Sequence, residues 1–492
     1  MTTATTLPLD FQEKIENLSK LYKTYFPSDD KDFPIFETFI EKNYKLAYNN
    51  NNTIASINRV ENIYSDLKDF IRVNEHQIPE NILPKNKTGY LKDINVQVSN
   101  EYKRKQKKLG VNTYQFLTDD YVYKNHQHVQ KYIPRGLTIC RIYDDVAKEE
   151  FHDFCIYVNK KFTGLTDQDD DDSKNNSITD DDNYISKYFT QEPSTQNIIF
   201  MEKINGEAFH ISGRYLKTEN EGNKFYFFVG SKNNHIMISE NSDIDLYTDP
   251  RYTQAKKFAK SFMKLLKTIS KEKLDILYSI LHYTKVTIIC EILQPSYQHI
   301  VYIPGKDDKI VFLAFCPTFN DDINLIAFPP HIACKVLQVL GITTTNYRIF
   351  TGTDEEKRKE FEKVRLTKNS EGYVLYFLNS NLETIGLVKL KTNWYIFLRA
   401  LREKLSKYIH KEKNDKIKER VNERYDEIQK WLKLTNSQVN EWKENAGRFI
   451  DWLETEEKLT YRKEAAEIKS DFPKLWEKFL DSPLLETGKF LH

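Results

Sequence analysis

The 492-residue chain has little of what would assign it quickly. Its five cysteines, Cys140, Cys155, Cys290, Cys316 and Cys334, are odd in number, scattered and mostly set inside apolar runs. No pair has metal-ligand spacing, so neither a disulfide scaffold nor a zinc module is expected, and the thiols read as reduced core residues. Charge of one sign is missing too. With 73 Lys+Arg against 72 Asp+Glu the net charge is +1. Global charge therefore selects no partner, and nucleic-acid affinity has to come from local patches. No apolar run approaches the length of a membrane span, so no membrane partner is expected. The opening residues, MTTATTLPLDFQEK, lack a basic-then-apolar signal, and a soluble cytoplasmic or nuclear protein is expected. The absence of a G-x-x-x-x-G-K-S/T loop excludes a P-loop kinase.

What is present suffices for two or three packed domains: 39% hydrophobic residues, 13% of the chain aromatic. Residues 10–75 carry helical periodicity, with Phe11, Ile15, Leu18, Tyr22 and Tyr25 on one face and Ile57, Val60, Ile63 and Leu67 on another. Residues 1–100 are expected to form a helical N-terminal segment. From about 110 to 400 the texture changes to short β-branched and aromatic runs: LTICRIY, FCIYV, NIIFMEK, KFYFFVG, VTIICEIL, HIVYI, KIVFLAF, EGYVLYF and LVKLK. These predict strands, interrupted by helices near 253–282 and 329–340. Asp167 to Asn183 holds eight aspartates and one lysine with almost nothing apolar, and predicts a disordered loop. From Trp394 the pattern is helical to the end, with Trp431, Trp442, Trp452 and Trp476 as core anchors of an all-α domain over 401–492.

The chemistry concentrates at Lys203-Ile204-Asn205-Gly206, where an apolar run delivers one lysine into a tight Asn-Gly turn. Alone, the tetrapeptide also suits a β-hairpin with a solvated lysine. Downstream, Glu291 interrupts VTIICEIL, where a carboxylate needs partners or a cavity. Glu371 opens EGYVLYF, and Lys389 and Lys391 share one side of a strand by the period of two. One nucleophilic lysine, two carboxylates and a lysine pair suit nucleotidyl transfer.

In order and texture, residues 130–405 resemble the covalent nucleotidyltransferase superfamily of ligases and capping enzymes. Within it they are similar to the T4 RNA ligase 1-like and fungal tRNA ligase adenylyltransferase branch. Lys203-Ile204-Asn205-Gly206 resembles the lysine-x-(Asp/Asn)-Gly nucleophile motif, and Arg135-Gly136-Leu137-Thr138 the upstream Arg-Gly element. Lys187-Tyr188-Phe189 resembles the Lys-Phe-Phe element. Glu291 with Pro295 and His299-Ile300-Val301-Tyr302 resembles the carboxylate strand and its partner, with His299 where relatives often have arginine. Glu371-Gly372-Tyr373-Val374 resembles the Glu-Gly-Phe/Val-Val motif. Lys389-x-Lys391, with Trp394-Tyr395 and Leu398-Arg399, resembles the paired-lysine strand that runs into a helix.

The resemblance implies an α+β fold: a nucleotidyltransferase core over 101–400, with ATP-grasp-like antiparallel sheets, a helical N-terminal segment and an all-α C-terminal domain. It implies an ATP-dependent RNA ligase using Mg²⁺ or Mn²⁺, acting as a monomer on RNA ends (tRNA or other cleaved RNA). Lys203, Glu371, Lys389 and Lys391 would be catalytic. Glu371 would hold the metal and Glu291 the ribose. Arg135, Lys187, Asn205, Gly206, Lys232, Glu291, Lys389 and Lys391 would hold the nucleotide. Nearby positive charge would lower the Lys203 pKa. Tyr188 and Phe189 read as core. The basic runs Lys103–Lys108 and Arg402–Arg424 suit either an RNA backbone or a solvated helix face. Alternatives are a DNA ligase or capping-type enzyme, and a non-catalytic RNA-binding protein on the same fold. The triplets His210-Ile211-Ser212 and His282-Tyr283-Thr284 have no separate domain to house a phosphodiesterase and read as incidental.

Overall fold

The computed structural model describes residues 6–48, 50–109, 118–146, 148, 150–165, 188–191, 197–218, 222–318, 327–456 and 465–482. The expected Asp-rich loop lies outside them, as does Lys187. The fold is mixed α+β, with three sheets that are antiparallel apart from one short parallel pairing.

Three helices come first: α1 (Leu9–Tyr25), α2 (Phe33–Ala47) and α3 (Asn50–Asp66). α1 buries Phe11, Ile15, Leu18 and Tyr22 of the stripe that its periodicity predicts, whereas Tyr25 in its last turn is exposed. The expected helical segment then stops short of residue 100. β1 (Ile71–Gln77) and β2 (Lys87–Val96) occupy its last third. They pair antiparallel from Ile71↔Val96 to Gln77↔Tyr90, and long-range pairing of this kind overrides a weak helical pattern. Short helices α4 (Asn100–Lys108), α5 (Asp119–Asn125) and α6 (Gln127–Tyr132) follow, then β3 (Leu137–Asp144) and β4 (Glu150–Tyr157). The first sheet runs β1-β2-β3-β4.

The other two sheets carry the site. β5 (Thr163–Gly164), β6 (Asn197–Glu202), β7 (Glu207–Thr218), β8 (Gly222–Ser231) and β9 (His235–Ile238) precede the helices α7 (Thr253–Leu266) and α8 (Lys271–Thr284). Next come β10 (Thr287–Leu293), β11 (Lys309–Cys316), α9 (Pro330–Val339), β12 (Tyr347–Phe350) and α10 (Asp354–Leu366). β13 (Gly372–Leu378) and β14 (Thr384–Lys391) close the set. One sheet orders β11-β10-β7-β8-β9, the other β12-β6-β13-β14-β5. The helix expected over 253–282 is thus two, and α10 was not anticipated. Its residues are nearly all charged, with only Val364 buried. HIVYI is not a strand: residues 299–303 form a loop whose backbone groups are taken by side chains instead of a neighbouring strand.

The largest core joins α1 and α2 to the β7-containing sheet and helices α7–α9. After β14 the described residues are helical: α11 (Asn393–Tyr408), α12 (Asn414–Leu432), α13 (Asn436–Glu456) and α14 (Ala465–Leu480). They build their own core around Phe449, Trp452, Trp476 and Leu398, and Ile300 from the 299–303 loop joins it. No helix among the described residues is long and apolar enough to cross a membrane.

Candidate active site

The strands on either side of Lys203 belong to different sheets. β6 pairs with β12 and β13, whereas β7 pairs with β10 and β8. Lys203-Ile204-Asn205-Gly206 is therefore a crossing between sheets, and the hairpin alternative falls. The Lys203 backbone N–H donates to Gly372 O at 2.8 Å, which extends the β6–β13 register past Glu202. Val374 pairs with Met201 and with Lys389, and Gly372 with Lys391. Residues directly opposite in an antiparallel pair share a face, so Lys203, Lys389 and Lys391 project from the same side of this sheet.

Lys203 Nζ lies 2.8 Å from Glu371 Oε1, with the lysine side chain 22% exposed and the carboxylate 5%. Glu371 Oε2 accepts from Asn205 Nδ2 at 2.6 Å. Asn205 Oδ1 in turn accepts from the backbone N–H groups of Ile300 (2.9 Å) and Val301 (3.0 Å). The Tyr395 hydroxyl of α11 lies near enough to Asn205 and Glu371 for both to act on it. Glu291 Oε1 accepts from the Gly206 N–H at 3.2 Å. Only glycine fits there: a Cβ would fall 2.4 Å from Ile292 O.

Two carboxylates and one lysine set the electrostatics. Burial pushes the Lys203 ammonium down, but Glu371 and Glu291 outweigh it and hold its pKa above the ordinary lysine value. This reverses the sequence expectation, because the charges that dominate around the amine are carboxylates. Lys389 Nζ sits 5.2 Å from the Phe162 ring and Lys391 Nζ 5.8 Å from the Tyr395 ring. Burial, with the charge of Glu371 adding and Lys203 opposing, raises Glu291 to about 7.

A second group of cations lies close enough for the charge of Arg135 to act on Lys203. Asp119 Oδ2 is 3.4 Å from Arg135 Nη2 and 3.3 Å from Lys232 Nζ. Burial pushes Asp119 up, but Arg135, Lys232 and Lys161 outweigh it and keep its carboxyl below the usual range. Burial, with Arg135 adding, lowers Lys232. Lys161, 3% exposed, pairs with Asp120.

Lys161 and Phe162 were missed by sequence reasoning. Their segment runs from Val158, bonded to Gly136 O, to Gly164, paired with Lys389 on β14, and so spans from the Arg135 cluster to the lysine pair. The available signal was a Lys-Lys-Phe at the end of a strand. Phe189 packs against Phe377 and Gly386 on the opposite face of β14 from Lys389, so it is core, as read. The structure thus brings Lys203, Asn205, Gly206, Glu291, Glu371, Lys389 and Lys391 together at the crossing, with Arg135 and Lys232 in the adjoining cluster. Among the described residues, no three His, Cys, Asp or Glu side chains cluster as a metal cage.

No known family model matches this chain, and neither does any curated protein. Among solved structures, an archaeal ATP-dependent RNA ligase aligns at a TM-score of 0.35 with 13% identity. The alignment covers 64% of this chain and 67% of that one. The functional reading rests on the residues of the site.

Proposed function

We propose that this chain is an ATP-dependent RNA ligase that seals 5′-phosphate to 3′-hydroxyl RNA ends through lysyl-AMP on Lys203. The observation that carries the reading is the sheet crossing itself. It presents one lysine to two carboxylates, with a lysine pair projecting from the same sheet face and a basic cluster alongside.

Lys203 Nζ attacks the α-phosphorus of the substrate ATP. A P–N bond forms, the α–β P–O bond breaks, and pyrophosphate leaves. Before attack the ammonium loses a proton, for which Glu371 at 2.8 Å is the acceptor in place. An oxygen of the RNA 5′-phosphate then displaces Lys203, which leaves as the amine. Finally the 3′-hydroxyl attacks that phosphate and expels AMP. Lys389, Lys391, Arg135, Lys161 and Lys232 neutralise charge on the phosphates. Asn205 keeps Glu371 directed at Lys203, and Glu291 holds the ribose.

Mg²⁺ and Mn²⁺ fit Glu371 as part of a nucleotide complex. Such ions take one or two carboxylates together with substrate phosphates and water, and Glu371 supplies one carboxylate. When bound, the ion offsets charge on the phosphates. The unbroken helical stretch from α11 through α13, directly after β14, supports RNA ends over the β-barrel-linked DNA ligase and capping types. The enzyme is read as a monomer with no membrane partner, acting on tRNA or other cleaved RNA.

The test is incubation with α-labelled ATP and Mg²⁺ or Mn²⁺, denaturing electrophoresis, and circularisation of 5′-phosphorylated RNA. A labelled band that survives Lys203→Ala, or no band at all, sinks the reading. Labelling by GTP alone points to capping chemistry.

A further inference from the structure

Asp93, Thr138, His210 and His235 form a polar chain in the interior, none of them more than 2% exposed. Asp93 Oδ1 accepts from the Thr138 hydroxyl at 2.7 Å and lies 3.0 Å from His235 Nδ1. Asp93 Oδ2 accepts from the His235 backbone N–H at 3.4 Å. A carboxylate only accepts, so His235 Nδ1 carries the proton that Asp93 takes, and Thr138 Oγ1 lies 2.8 Å from the same nitrogen. His235 Nε2 is 3.2 Å from His210 Nδ1, which joins the two rings. Burial, with His235 and Lys232 adding, keeps His210 far below the ordinary histidine pKa, so its ring is neutral.

The far end of the chain is the floor of a turn. Gly136 has φ +133°, and a Cβ there would fall 2.7 Å from His210 Cε1 and 3.0 Å from Nδ1. The turn is tied at its sides by Arg135 N–H to Asn159 O (3.1 Å) and Val158 N–H to Gly136 O (3.2 Å). On its own sheet His210 pairs with Gly230 and Ile289, each two residues from a site residue, Lys232 and Glu291. An apolar side chain could fill the same space, but the bond to His235 also sets the plane of the ring beneath the turn.

We propose that His210 is a positioning residue: the Asp93–His235–His210 chain sets the height and direction of the Arg135-Gly136 turn, and so the reach of Arg135 toward the phosphates of the nucleotide. The phosphate half of this inference rests on the ligase reading; the turn itself can be tested without it.

Two variants separate positioning from packing. His210→Leu removes the bond to His235, whereas His210→Asn keeps a polar amide near the Nδ1 position. His210→Leu is expected to speed hydrogen exchange across residues 134–138. It should raise the KM for ATP in Lys203 adenylylation about tenfold, with a smaller effect at saturating ATP, and His210→Asn should recover most of both. An unchanged KM in His210→Leu overturns the proposal. So does a loss confined to the active fraction, or an Asn variant no better than Leu. Should His210→Leu fail to fold, Asp93→Asn disturbs the chain from its other end and is expected to move KM in the same direction; an unmoved KM overturns the proposal there too. If the unaltered protein forms no lysyl-AMP, [¹⁵N]histidine spectra still decide: a coupling across the His210 Nδ1–His235 Nε2 hydrogen bond supports the chain, and its absence overturns it.

Discussion

The Asp153 and Lys203 clusters of cation and carboxylate are built in opposite senses. In one, Asp153 serves two cations, Arg214 at 3.1 Å and Lys285 at 3.2 Å. The Arg214 guanidinium also donates to Ser212 Oγ and to the carbonyls of Gly213, Leu281 and Phe154. In the other, two carboxylates share one lysine, and that lysine has a single short side-chain partner. Burial lowers Lys285, although Asp153 opposes it, whereas Glu371 and Glu291 raise Lys203 against the same burial. The contrast separates packing from chemistry. A guanidinium saturated with hydrogen bonds is a strut between sheet and helix, while an amine with excess carboxylate around it can exchange both its proton and its partner.

The comparison can be broken most forcefully at its two cations. Lys203→Ala is expected to abolish the labelled band while the protein stays folded. Arg214→Leu should leave labelling per folded molecule intact but cost about 3–5 kcal/mol of stability, because it removes one of the two cations of Asp153 and leaves buried acceptors at Ser212, Gly213, Leu281 and Phe154 without their donor. Denaturant melts beside labelling of the folded fraction check both, and a stable, inactive Arg214→Leu would merge the clusters into one class. Next, Glu371→Gln removes the proton acceptor and should slow adenylylation by about 10²–10⁴ with little change in ATP KM. A single-turnover time course measures it.

The pH response sharpens the contrast further. The folded-state pKa of Glu291 is raised from 4.5 to about 7, so the native state binds the extra proton. Stability from this group is therefore present at low pH and falls as pH rises from about 4.5 to about 7, by about 3 kcal/mol. Glu291→Gln should flatten that stretch of the stability profile, and an unchanged slope would show that Glu291 titrates as an ordinary carboxylate. The smallest effect is expected from Tyr395→Phe. It removes the phenol beside Asn205 and Glu371 and should cost about 0.5–1.5 kcal/mol, visible as a several-fold slower labelling rate.

Much of this was legible in the chain because it is local. The strand runs around Phe200, Cys290, Phe312, Tyr376 and Leu387 are contiguous apolar stretches, and all of them became strands. The stripe of α1 repeats with the helical period, and Lys389 and Lys391 share a face by simple alternation. The loop at 299–303 was misread because its apolar residues look like a strand. Its backbone is claimed by Asn205 and Gln298, one of them 95 positions away from Ile300. Lys161 carried too weak a signal, since a lysine after a strand is ordinary until its neighbours are known.

The sequence by itself determined most of the strands and helices between residues 137 and 480, and several of the charged residues that stand in apolar surroundings. Those are properties of neighbours along the chain, set by periodicity and by the cost of burying charge. Only the tertiary structure decided that Lys203 lies at a crossing between two sheets and that Glu371 reaches it from 168 positions away. It also decided that Asn205 is locked by a loop and that His210 lies under Gly136. Such contacts depend on strand pairing and hydrogen bonds between distant parts of the chain, which no local pattern encodes.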